Sequence, residues 1–247
     1  MKGGFFMLKT QSGKYALFCV RFVTFVLVFA LVSLGFTAIF YSCAEKGDLP
    51  TSVKTGKVYI IDAGHGGVDG GALGNDGTRE SDLNLKTALT VCDIMTVLGH
   101  NTILTRESDT MLSDGGEGTN KMRDLRCRLK ICNDNPEGVF VSIHMNKFPD
   151  TKYSGLQVWY SPNDKSSGSI ASSVQARARE ILDPTNDRET KEATSAIYLL
   201  YHSTIPSVLV ECGFLSNKEE LKKLKTHQYR QKLGVAIVLG VLEADDV

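Results

Sequence analysis

Apolar positions along this chain recur in three rhythms. From 22 to 44, "FVTFVLVFALVSLGFTAIFYSCA" is apolar without a single charge. It is long enough to cross a bilayer as one helix, and longer than the roughly 7–15 residue apolar core of a cleaved signal peptide. Further on come short, nearly continuous apolar runs: "KVYIID", "NTILT", "GVFVSIH", "SGLQVWYS", "AIYLLYHS" and "PSVLVE". These read as strands, and the nearly continuous apolar character of "GVFVSIH" fits burial on both faces. Between them apolar residues return every three or four positions. In "ESDLNLKTALTVCDIMTVLG", Leu85, Ala88, Leu89, Cys92 and Met95 mark a helix that Gly99 stops. "MRDLRCRLKICND", "SIASSVQARAREIL" and "YRQKLGVAIVLGVLEA" are helical in the same way, and Asn217 is placed to start another helix.

Strand and helix alternate from residue 57 onward. The expected fold is α/β: a single domain with a central, mostly parallel twisted sheet of about six strands flanked by helices, preceded by one N-terminal transmembrane helix. The predicted organisation is a short basic cytoplasmic segment at 1–21, a membrane anchor (or uncleaved signal) at 22–44, a polar linker at 45–56 and a catalytic domain at 57–247, with a signal cleaved at the small-residue site Ser42-Cys43-Ala44 as the alternative.

Charge orients that anchor. Of the 28 basic residues among 247, Lys2, Lys9, Lys14 and Arg21 precede the first acidic residue, Glu45. The remainder holds 24 basic against 28 acidic residues. The positive-inside bias therefore places the domain outside the cytoplasm, and its slight acidity argues against nucleic acid as a partner. Cys92, Cys127, Cys132 and Cys212 form no CxxC pair and read as buried free thiols, since a Cys127–Cys132 bridge is poorly placed on a helix.

Polar residues collect where apolar strands end, the edge at which open α/β sheets bind ligands. His65 lies just past "VYIID" in a glycine-rich loop, His144 ends "GVFVSIH" and Glu211 ends "SVLVE". Glu80, at the start of a predicted helix, is a fourth candidate. Two imidazoles and one carboxylate, from Glu80 or Glu211, make the ligand set of a catalytic zinc. A carboxylate closing an apolar run costs several kcal/mol unless something receives it. His100, His202 and His227 lack such placement. Asn84, Arg106, Arg128 and Asn146 are polar framework candidates around the site.

"IIDAGHGGVDGGALGNDGTRESDLNL", "FVSIHMN" and "PSVLVECGFLSNKEE" together resemble the successive signatures of the zinc-dependent N-acetylmuramoyl-L-alanine amidases, a likeness covering about 57 to 245. It implies that 57–247 is a zinc amidase catalytic domain, with Zn2+ bound by His65, Glu80 and His144, Glu211 as the catalytic glutamate, and peptidoglycan as substrate. "NKMRDLRCR", "GLQVWY" and the anchor resemble most the spore-cortex amidases, which strip the peptide so that a downstream muramic acid deacetylase can form the muramic δ-lactam. That resemblance implies a place on the cell-wall side or in the forespore intermembrane space, and a protein partner for activation or targeting. Ser81 stands where the family often has lysine and Ala63 where proline is common; neither is a ligand position. The competing expectations are a general cell-wall amidase, a wall-binding domain that has lost its chemistry, and a zinc carboxypeptidase with an arginine pocket for a terminal carboxylate.

Overall fold

In a computed structural model of the protein, the residues described are 57–245 together with Arg21, Phe22 and Thr24. Apart from Phe22 and Thr24, the expected anchor and the linker lie outside the described residues. Among the described residues no helix is long and apolar enough to cross a membrane.

The order of elements is β1 (Val58–Ala63), α1 (Glu80–Val97), β2 (Asn101–Leu104), α2 (Asn120–Asn133), β3 (Val139–Asn146), β4 (Gln157–Tyr160), α3 (Lys165–Ile181), β5 (Lys191–Glu192), α4 (Tyr198–His202), β6 (Ser207–Phe214), α5 (Lys218–Leu224) and α6 (His227–Asp245). One six-stranded sheet runs β2-β1-β3-β6-β4-β5. The first four are parallel; β4 joins β6 antiparallel and β5 pairs parallel with β4. The α/β fold and the mostly parallel sheet match the sequence reading.

Side chains alternate across a strand, and this parity sorts the core. Tyr59, Ile61 and Ala63 of β1, Val139, Val141, Ile143 and Met145 of β3, and Val208, Val210 and Cys212 of β6 all enter the larger cluster. That cluster is completed by the buried faces of α1, α3 and α6, among them Leu83, Val91, Val174 and Ile237. Each such aliphatic side chain, fully buried, contributes roughly 1.5–3 kcal/mol. Helices α3 and α6 cross very closely: a Cβ on Gly240 would lie 2.4 Å from the Val174 Cα. The opposite parity, Ile60, Phe140 and Leu209, enters a smaller cluster with Cys132, Leu199 and Leu200. On this thinner side, strand residues closer to the carboxyl edge become polar: Asp62, Ser142, His144 and Glu211.

Two elements differ from expectation. "AIYLLYHS" is a five-residue helix, not a strand. Leu199 and Leu200 both pack into the smaller cluster, which adjacent residues of a strand, facing opposite sides, could not do. The sixth strand is instead the exposed pair Lys191–Glu192, too short and too polar to signal itself. In addition, β6 does not stop at Glu211 but continues to Phe214, with the register shifting between His144 and Asn146 and with Gly213 at φ 152°. Asn217 does start α5, its Oδ1 accepting from the Glu219 and Glu220 amides at 3.0 and 3.2 Å. Cys92, Cys127, Cys132 and Cys212 are free thiols, the first two only partly buried.

Candidate active site

The site is assembled from four segments on the thinner face of the sheet. His144 in β3 and Glu211 in β6 are register partners, so their side chains leave the sheet on the same side. The glycine-rich loop after β1 brings His65, and the first residue of α1 is Glu80.

His65 has φ 60°, the left-handed region that residues other than glycine seldom occupy. Its surroundings hold it there. Arg128 Nη2 donates to its carbonyl at 2.7 Å, and its Nδ1 donates to Asp69 Oδ2 at 2.8 Å. With Nδ1 engaged, Nε2 points into the site, 3.3 Å from Glu80 Oε1. His144 Nδ1 approaches the same oxygen at 2.9 Å. The two rings meet edge to face at 5.0 Å between centroids. Gly64 allows this packing: a Cβ there would sit 2.2 Å from His144 Nε2.

Glu80 is buried and its orientation is fixed by backbone amides. Ala72 N donates to Oε2 at 2.8 Å and Met145 N to Oε1 at 3.2 Å, with Asn84 Nδ2 at 3.3 Å from Oε1. Burial alone would raise its pKa, but hydrogen bonds from His144 and His65 and their charge hold the carboxyl far below the usual carboxylate range. Burial works against a charged His65, yet the hydrogen bonds and charges of Glu80 and Asp69 prevail and raise it to about 9. His65 and Glu80 are thus electrostatically coupled, and a cation bound between them would compete with a proton on the imidazole.

Donor atoms of His65, Glu80 and His144 all lie within 4.8 Å of one another, close enough to share one ion. Glu211 stands beside them and is treated differently. Its Oε2 is enclosed and has no hydrogen-bond partner among the described residues. Burial pushes its pKa up to about 7, with the histidines pulling it down and Glu80 pushing further up. A carboxylate raised by burial beside a two-imidazole, one-carboxylate cluster is the kind of perturbed group that collects at functional sites. The donor set and this orphaned atom both fit a bound metal ion.

Behind the site the framework candidates brace the loop. Arg106 donates from Nε to the Ala63 carbonyl at 2.8 Å and from Nη2 to the carbonyls of Gly64 and Ser81 at 3.1 and 2.9 Å. Arg128 is buried and bonds Asp62, Asp124 and the carbonyls of Ala63 and His65. Asn84 Nδ2 also reaches the Gly64 carbonyl at 3.1 Å, and Asn146 accepts from Leu215 N at 2.7 Å through its carbonyl. Three residues were not singled out from sequence: Asp69, which orients His65, and Asp62 and Asp124, which neutralise Arg128. Asp69 four positions after a candidate ligand and Asp124 four positions before Arg128 carried a local signal; Asp62, 66 positions from Arg128, carried none. Asp62 is fully buried, and the ion pair with Arg128 with hydrogen bonds from Ser142 and Thr105 overcomes the burial cost and lowers its pKa.

His65, His144 and Glu211, with Asp62, Asp69 and Arg128, line a cavity of about 260 Å3 that Lys121, Leu125, Ile197, Tyr198 and Leu199 also line. The start of the segment read as a strand, 196–199, therefore forms part of the same cavity wall.

Comparison with known proteins agrees with this geometry. Residues 60–243 match the family described as N-acetylmuramoyl-L-alanine amidase. The germination-specific N-acetylmuramoyl-L-alanine amidase of Bacillus subtilis is 38% identical over 191 residues, covering 76% of this chain and 79% of the relative. Among solved structures, the CwlD amidase of Clostridioides difficile in complex with the GerS lipoprotein is similar with a TM-score of 0.73 and 37% identity, covering 78% of this chain and 99% of that one. AmiC2, an N-acetylmuramoyl-L-alanine amidase of Nostoc punctiforme, gives a TM-score of 0.67 at 30% identity, over 78% of this chain and 98% of the other. With the catalytic fold, its carboxyl-edge cluster and these relatives in agreement, the chain belongs to the N-acetylmuramoyl-L-alanine amidase family of peptidoglycan hydrolases.

Proposed function

We propose that the protein is a zinc-dependent amidase that cuts the amide between the lactyl group of N-acetylmuramic acid and the first L-alanine of the stem peptide, and that it does so during maturation of the spore cortex. The observation that carries the chemistry is the enclosed, unpartnered Oε2 of Glu211 beside the His65, Glu80 and His144 cluster.

His65 through Nε2, His144 through Nδ1 and Glu80 through Oε1 would hold the ion. Bound zinc supplies Lewis acidity, polarising a carbonyl and making water acidic enough to lose a proton near neutral pH. The remaining work belongs to the side chains. Glu211 accepts the proton of the attacking water on its carboxylate and delivers it to the alanine nitrogen as the C–N bond breaks. Asp69 keeps His65 in the tautomer whose Nε2 is free to bind.

The cortex assignment is supported by likeness to the germination-specific amidase of Bacillus subtilis and to CwlD. In that role the products are a peptide-free muramic acid, substrate for a deacetylase that forms the δ-lactam, and a free stem peptide. The uncharged run at 22–44 after a basic segment supports a membrane anchor with the catalytic domain outside the cytoplasm. The complex of CwlD with a lipoprotein supports a protein partner for this chain as well.

The deciding experiment digests purified peptidoglycan with the outer domain, zinc-loaded or chelated, and identifies products by mass spectrometry. Peptides beginning with L-alanine, formed only with metal, are expected. Release of a C-terminal amino acid would overturn the assignment.

A further inference from the structure

The cavity contains one charge that hydrolysis does not use. Lys121 is the second residue of α2 and lines the same cavity as His65, His144 and Glu211. Lys121, Asp124, Leu125 and Arg128 follow one another at spacings of three, one and three, a single face of that helix turned to the cavity. The other ionised groups on this wall are engaged: Arg128 with Asp62 and Asp124, and Asp69 with His65. The exposed Lys121 ammonium forms no ion pair or hydrogen bond among the described residues, and influences Asp69 only through space.

Its position also runs against local electrostatics. The first turn of a helix presents unpaired amide donors and favours an anion, yet the first turn of α2 contains no acidic residue and does contain this lysine. Nothing in the packing of α2 accounts for a cation here, because Lys121 is exposed while the helix is anchored by Asp124, Arg128 and Cys132. Next to it the cavity is apolar, with Leu125, Ile197 and Tyr198. Among the charged residues that line it, Asp62, Asp124 and Arg128 are paired with one another and Asp69 with His65, which leaves Lys121 as the unpaired cation of the lining among the described residues. An apolar patch beside such a cation is complementary to an alanine followed by a carboxylate.

We propose that Lys121 is a specificity-determining residue that binds a carboxylate on the peptide arm of the substrate. It selects acidic stem peptides, in which the second residue keeps its α-carboxylate free, over those in which that carboxylate is amidated. The proposal rests on the amidase reading of the site. A cation at a partly enclosed rim gives about tenfold discrimination, ~1.4 kcal/mol, between the two peptides. The preference weakens as added salt screens the pair.

Two soluble muramyl peptides that differ only in whether the second residue's α-carboxylate is free or amidated provide the test. The ratio of kcat/KM for the two is measured with wild type, Lys121→Ala, Lys121→Arg and Lys130→Ala, the last an exposed lysine of the same helix paired with Asp134. Binding of the two released peptides is measured in parallel by calorimetry. Expected are a ratio near ten in wild type and Lys130→Ala, near one in Lys121→Ala, and restored in Lys121→Arg, with the same order in calorimetry. An identical ratio and identical binding preference in wild type and Lys121→Ala would overturn the proposal while leaving the amidase reading intact. Failure of wild type to cleave either peptide, together with failure to digest purified peptidoglycan, would count against the amidase reading instead, and the calorimetric preference would still decide the role of Lys121.

Discussion

His144 and Glu211 are direct register partners on the parallel strands β3 and β6. One side chain is a candidate ligand and the other the candidate base, so two adjacent buried strands set their separation and leave neither on a mobile loop. Glu80 joins them through His144 Nδ1, and its own position depends on the Ala72 and Met145 amides.

That division of labour separates binding from turnover at Glu211. Glu211→Gln is expected to retain its zinc, measured by metal analysis, while amidase activity on muropeptides falls by roughly 10²–10⁴. Full activity in this variant would remove the general-base role. The same variant carries a pH signature. A carboxyl whose pKa is raised to about 7 in the folded protein stays protonated where the unfolded chain has already ionised, so stability falls as pH rises toward 7. In the metal-free protein, Glu211→Gln should therefore gain Tm relative to wild type above that pH and lose the gain in acid. Thermal melts across pH measure it.

Asp69 acts on the metal through His65. With Asp69→Asn, the Nδ1 hydrogen bond weakens and the left-handed loop loses one of its restraints. Zinc affinity should drop by about 10–100-fold, read by competition with a chromophoric chelator. An unchanged affinity would mean that the loop backbone alone orients the ring.

The Asp62–Arg128 pair is structural and buried. Removing one partner leaves the other charged and unpaired, so Asp62→Asn should cost about 3–5 kcal/mol at neutral pH in denaturant unfolding. Because folding lowers the Asp62 pKa, its contribution is complete above the ordinary aspartate pKa and disappears as pH falls through the depressed folded value. The gap between wild type and Asp62→Asn should narrow in strong acid. A gap that widened there would contradict the assignment.

Gly240 lets α3 and α6 touch backbone to backbone. A Gly240→Ala methyl would meet the Val174 main chain, so overpacking should cost about 1–3 kcal/mol despite the better helix propensity of alanine. Equilibrium unfolding tests this, and a stabilised variant would show that the helices can separate freely.

The alternation of apolar runs with 3.6-residue periodicity determined the α/β class, the parallel strands and the helices that cover them, because each signal arises from a local repeat of burial. The same runs marked His65, His144 and Glu211, since a polar residue closing a buried strand is costly unless it has a partner. Other features depended on contacts distant in sequence. Whether "AIYLLYHS" became strand or helix was settled by the shape of the smaller core, which had room for Leu199 and Leu200 on one side. That Glu80 bonds both histidines while Glu211 Oε2 has no hydrogen-bond partner among the described residues depends on the glycine-rich loop lying against the start of α1, a contact no local repeat reports. Hydrophobic periodicity reports which way a side chain faces. Its neighbours from distant parts of the chain are fixed only when the sheet is assembled.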